Sequence, residues 1–161
     1  HKLDVKPAAG EFRAQCIASL LLNRNPNEQL SRIEIDSQQP CFTVNTLAKL
    51  QAENPSREIY FLLGGDSLSH LNTWHDLPAL FASCRFLLVP RPGWGQTELE
   101  CYRQQLTPKL RDCFQASFVD MDAVDVSSSD IRAAIAAKQP PRGLPLVVAE
   151  LIQSHQVYSS L

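Results

Sequence analysis

The chain has 161 residues, a length that suits one domain, and its net charge of −2 excludes the broad basic field used to bind nucleic acid or a membrane surface. A hydrophobic content of 44% is ordinary for a globular core, and no apolar run approaches the roughly twenty residues of a membrane-spanning helix. Five dispersed cysteines (Cys16, Cys41, Cys84, Cys101, Cys113) form no C-x-x-C pair and read as reduced thiols of a cytoplasmic protein.

The opening decapeptide is irregular and locally basic through Lys2 and Lys6. Phe12, Cys16 and Leu20 then recur at helical spacing, predicting a helix from about Glu11 to Leu22. Asn23 to Asn27 is a turn, and the alternation of Ile33 and Ile35 with polar neighbours predicts a short strand over Ser31 to Asp36. Val44, Leu47 and Leu50 share a helical face that ends at Asn54-Pro55. EIYFLLGGDS, ending at Ser67, is a continuous apolar run closed by glycines, the pattern of a strand buried on both faces. Cys84 to Gly93 repeats it, and Ala116 to Met121 is a weaker third strand. Helices are expected at about Asp76 to Ala82, Glu98 to Leu106, Ser128 to Ala137 and Leu146 to Ser154. Alternating strands and helices argue for an α/β fold with a mainly parallel sheet, in one domain without a linker.

In such sheets ligands bind outside the carboxyl ends of the strands. That rule selects Gly64-Gly65-Asp66-Ser67, Pro90-Arg91-Pro92-Gly93 and the stretch from Val126 to Arg132. Asp66 can accept hydrogen bonds from ribose hydroxyls, or Asp66 or Ser67 can cap the next helix. Trp74 sits among polar neighbours and offers a flat face to a planar ring, or packs as a partly buried tryptophan. Ser127 and Asp130 fit a capping box. Arg132 does not belong to that box, and a cation near a helix N-terminus opposes the macrodipole. Serine hydroxyls, free backbone N–H groups and an arginine together also make a phosphate cradle. From the residues alone, cap and cradle both remain open.

His1, His70, His75 and His155 show no metal-ligand spacing, and H-E-x-x-H, G-x-S-x-G, G-x-G-x-x-G and P-loop patterns are absent. No metal site is therefore expected in the sequence.

The motifs in order carry a resemblance. His1-Lys2 resembles the end of a P-P-H-K loop, and Phe42 to Leu47 resembles a Y-T-x-x-T-L helix start with Phe for Tyr. IYFLLGGDS, Ile59 to Ser67, resembles a strand ending in G-x-D. Thr73-Trp74 with Val89 to Gly93 resembles the T-W and V-x-R-P-G pair, and Val126 to Arg132 resembles I-S-S-T-x-I-R. As a set over nearly the whole chain they resemble the bacterial nicotinate mononucleotide adenylyltransferases of the nucleotidyltransferase superfamily.

The resemblance implies a Rossmann-like nucleotidyltransferase fold. It also implies transfer of the adenylyl group of ATP to nicotinate mononucleotide, giving deamido-NAD and pyrophosphate with Mg²⁺ on the triphosphate. Carried over residue by residue, the resemblance implies that Trp74 stacks on the pyridine ring, that Thr43 and the backbone around His75 fix its carboxylate, and that Arg91 lies near the substrate. It likewise implies that Lys2, Asp66, Ser127, Ser128, Ser129 and Arg132 hold ATP. The family's G-x-F-x-P-x-H-x-G-H segment and first strands are missing, so the catalytic histidines are expected upstream of His1 in a longer protein. An inactive nucleotide-binding module and a phosphopantetheine adenylyltransferase stay as alternatives, and the oligomeric state is left open, a homo-oligomer included.

Overall fold

The computed structural model describes residues 8–22 and 24–158. In chain order come helix α1 (Gly10–Leu21), helix α2 (Thr43–Glu53), strand β1 (Tyr60–Gly64), a 3-10 turn (Gly65–Ser67), helix α3 (Leu68–Leu71) and helix α4 (Leu77–Ser83). They are followed by strand β2 (Arg85–Val89), helices α5 (Gln96–Gln105) and α6 (Pro108–Cys113), strand β3 (Ala116–Phe118), and helices α7 (Ser128–Ala136) and α8 (Leu146–Ser154). Two compact units divide these elements. Gln38–Asp125 holds the sheet, while the segments up to Ser37 and from Val126 onward hold α1, α7 and α8.

In the sheet unit the strands lie in the order β1-β2-β3, all parallel, with Tyr60 opposite Arg85 and Phe86 opposite Ala116. Parallel neighbours need crossover segments, and α3, α4, α5 and α6 lie in those crossovers. Phe86 and Leu88 point from β2 into a core completed by Leu71, Leu80, Phe81 and Leu99, all nearly inaccessible. The rings of Phe81, Phe86 and Phe114 meet there at centroid distances of 4.8 to 5.7 Å.

Strand β1 corrects one expectation. Its apolar run is not buried on both faces: Tyr60 is 51% and Leu62 60% exposed, while Phe61 and Leu63 on the other face pack against the core. The reason is that nothing among the described residues packs closely over the face that carries Tyr60 and Leu62. The third strand stops at Phe118, short of the expected Met121. Two short helices, α3 and α6, were not expected from the sequence.

In the other unit α1 packs against α8, burying Ala14, Val148 and Ile152, with the Phe12 and His155 rings 5.1 Å apart. Residues Ser31 to Asp36 are not the expected strand but a turn closed by the Asp36 N–H donating to the Arg32 carbonyl. Arg32 pins it, reaching Glu11 on α1 at 2.6 Å and Asp36 at 2.9 Å. Among the described residues no strand pairs with this segment, so the backbone bonds within itself. No helix among the described residues is long and apolar enough to cross a membrane.

Candidate active site

One cavity of the sheet unit, about 520 Å³, is lined by Cys41, Phe42, Thr43, Thr73, Trp74, His75 and Asp76. Its walls come from two places, the start of α2 and the turn between α3 and α4. The first wall exists because Phe42 is extended and its carbonyl accepts the Asn45 and Thr46 N–H groups, beginning α2 at Thr43. The second is a tight reversal: Thr73 bonds back to the His70 carbonyl through both its N–H and its hydroxyl, and the Trp74 N–H donates to the Leu71 carbonyl. Asp76 then takes the left-handed conformation (φ 49°), and its carboxylate accepts the Ala79 N–H to start α4. Trp74 is partly buried, edge-to-face with Phe61 at 5.9 Å, and still lines the cavity. The size and the mix of one indole with hydroxyl and imidazole groups suit a small aromatic ligand.

At the carboxyl ends of β1 and β2, Asp66 Oδ1 lies 3.6 Å from Arg91 Nε. Arg91 is held from its other end by Nη1 donating to the Val124 carbonyl at 2.9 Å. Asp66 belongs to the 3-10 turn, and neither it nor Ser67 caps the following helix through its side chain. The two glycines before it are required by close approach. A Cβ on Gly64 would run into the Asp66 carboxylate, and one on Gly65 would come within 2.9 Å of the Phe118 ring.

In the other unit, Ser127 caps α7 by accepting the Asp130 N–H at 3.1 Å, and its hydroxyl donates to the Asp130 carboxylate at 2.7 Å. This is a variant of the capping box, with the N3 carboxylate taking the cap hydroxyl instead of the cap N–H. Arg132 donates through Nη2 to the Ser129 hydroxyl at 3.2 Å. Its Nε is buried without a partner, and among the described residues no carboxylate pairs with the guanidinium. The N–H groups of the first turn have no intrahelical acceptor, so α7 begins with donors and a cation side by side.

Of the residues singled out in the sequence, Thr43, Trp74 and His75 share one cavity. Asp66 and Arg91 pair with each other and do not line it. Ser127, Ser128, Ser129 and Arg132 form the α7 start, and Lys2 lies outside the described residues. Sequence reasoning missed Cys41 and Asp76 as lining residues and gave Phe42 no role. Asp76 carried a signal, since an Asp before Leu-Pro is a helix-cap pattern. The other two had none.

Three parallel strands joined by helical crossovers, with a glycine-bearing turn and a charged pair at their carboxyl edge, define an α/β protein whose ligand site is expected at that edge. No protein-family model matches the chain. Curated proteins that match nearly all of it include two named "Probable nicotinate-nucleotide adenylyltransferase". The one from Moorella thermoacetica is 33% identical over 98% of this chain and 72% of its own length. The one from Bacillus pumilus is 30% identical over 99% and 77%. By that similarity the chain belongs to the nicotinate-nucleotide adenylyltransferase family, a family of enzymes. The fold agrees. A solved structure of Plasmodium falciparum nicotinic acid mononucleotide adenylyltransferase complexed with NaAD superimposes over 99% of this chain and 79% of its own, with a TM-score of 0.66 at 14% identity. A second, complexed with APC, covers 77% and 61% with a TM-score of 0.56. The α/β nucleotidyltransferase fold expected from the sequence is therefore the one observed, here with three parallel strands.

Proposed function

We propose that this protein transfers the adenylyl group of ATP to nicotinate mononucleotide, releasing pyrophosphate and deamido-NAD, in the cytoplasm. The observation that carries the reading is the convergence of Thr43, Trp74 and His75, from separate parts of the sequence, on one cavity of a size for a pyridine nucleotide. In the reaction the 5′-phosphate of the acceptor attacks the α-phosphorus of ATP in line, and pyrophosphate leaves. The protein's part is positioning and charge stabilisation. Trp74 presents its ring to the pyridine, while the Thr43 hydroxyl and the backbone at His75 receive the carboxylate. Asp66 accepts from ribose hydroxyls, and Arg91, tethered to Val124 and paired with the Asp66 carboxylate, lies near the substrate. Ser127, Ser128, Ser129 and Arg132 bind ATP phosphates through hydroxyls, first-turn N–H groups and the guanidinium.

Among the described residues no group of three or more His, Cys, Asp or Glu side chains could hold a metal ion. Mg²⁺ would arrive on the triphosphate, as it is ordinarily held largely by substrate phosphates and water. When bound it neutralises phosphate charge.

The test is the split between ligands. Trp74→Ala should weaken binding of nicotinate mononucleotide much more than binding of ATP. Equal losses for both would make Trp74 a packing residue and remove the acceptor assignment.

A further inference from the structure

Phe42 and His75, both lining the cavity, stack on each other with ring centroids 4.3 Å apart and planes 27° from parallel. Each ring belongs to a different wall. Phe42 immediately precedes Thr43 at the start of α2, and His75 immediately follows Trp74. Phe42 caps α2 with its backbone alone, so its side chain has no capping duty, and it is 44% exposed. His75 is flanked by residues whose backbones are fixed, Trp74 by the Leu71 carbonyl and Asp76 by its left-handed conformation. Yet among the described residues no hydrogen bond or ion pair holds the imidazole itself. The stack on Phe42 is the aromatic contact it makes among the described residues.

We infer that Phe42 is a positioning residue for the acceptor and acts through His75. The stack ties the Thr43 wall to the Trp74 wall and sets the gap into which the pyridine ring slides. It also holds the imidazole and the adjoining backbone at one angle. A phenylalanine this exposed gains little from burial, but an aromatic pair contributes beyond its buried area. The inference rests on the acceptor reading of the cavity and adds a residue to it.

The experiment is a binding cycle on the full chain, with nicotinate mononucleotide and ATP titrated separately by calorimetry. Phe42→Ala should raise the acceptor Kd about three- to tenfold, the range an aromatic pair is worth, and leave the ATP Kd unchanged. Phe42→Tyr should restore tight binding, whereas Phe42→Leu, apolar but without a flat face, should not. The double variant Phe42→Ala/His75→Ala should bind no worse than His75→Ala, since one acts through the other. An unchanged acceptor Kd in Phe42→Ala, full rescue by Leu, or additive losses would each overturn the role of Phe42 alone. Absence of nicotinate mononucleotide binding to the unaltered protein would instead overturn the acceptor reading, and this inference with it. Thermal melts of each variant confirm the fold, as the side chain lies outside the buried core.

Discussion

Asp66 Oδ1 stands 3.6 Å from Arg91 Nε, joining the turn after β1 to the loop after β2. The two side chains are 57% and 30% exposed, so the pair contributes at most about 1 kcal/mol to folding. An ion pair worth so little to the fold is free to serve a ligand. Asp66→Ala should therefore shift the denaturation free energy by no more than about 1 kcal/mol while weakening ATP binding severalfold. Gly64→Ala should give the same binding loss by displacing the carboxylate its Cβ would strike. Urea denaturation alongside ATP titration checks both, and a large stability loss with intact ATP binding would make the pair structural.

Arg132 has a buried Nε without a partner and one bond to a serine hydroxyl. Charge-assisted bonds to a phosphate contribute roughly 1.5–3 kcal/mol, so Arg132→Ala should raise the ATP KM about ten- to a hundredfold. Helix content by circular dichroism should stay unchanged, because Ser127 and Asp130 do the capping. An unchanged KM would return the arginine to the helix surface.

Cys41 is exposed and lines the cavity that holds Trp74, Cys101 is exposed and does not line it, and Cys84 is buried with its thiol pushed up to about 11 by desolvation. A thiol reagent near neutral pH should label Cys41 and Cys101 well before Cys84, since the thiolate is the reacting form. Nicotinate mononucleotide should slow labelling of Cys41 and not of Cys101, as read by peptide mass spectrometry. Equal protection of both would mean the ligand binds elsewhere.

Burial also pushes the Tyr102 phenol up to about 12, while its O–H donates to Asn72 Oδ1 at 2.9 Å. The folded state thus holds this proton longer than the unfolded chain, whose tyrosines titrate near about 10. The associated stability is complete below pH ~10 and is lost as pH rises toward about 12. Stability measured across that window should fall in the unaltered protein and fall less in Tyr102→Phe. Identical slopes would show that Tyr102 does not titrate differently on folding.

The fold was legible where the signal was local. The apolar runs closed by Gly64-Gly65 and by Pro90-Arg91-Pro92 became β1 and β2, and the helical spacing of Val44 and Leu47 became α2. It failed where a distant contact decided the backbone. Ile33 and Ile35 alternate as a strand would, but Arg32 reaching Glu11 and Asp36 holds a turn there. Helix α6 did carry a start signal in Thr107-Pro108, yet its six residues are too few for a helical period to register. In the site, Trp74 stood out by its polar neighbours, but only the resemblance paired it with Thr43, because nothing local in either segment points to the other. The Phe42–His75 stack had no sequence signature, being a contact between two walls that only folding creates.

The central claim is adenylyl transfer to a pyridine mononucleotide. The intact protein, given ATP and Mg²⁺, should release pyrophosphate when nicotinate mononucleotide is added, and release it more slowly with nicotinamide mononucleotide. No pyrophosphate with either acceptor would contradict the account.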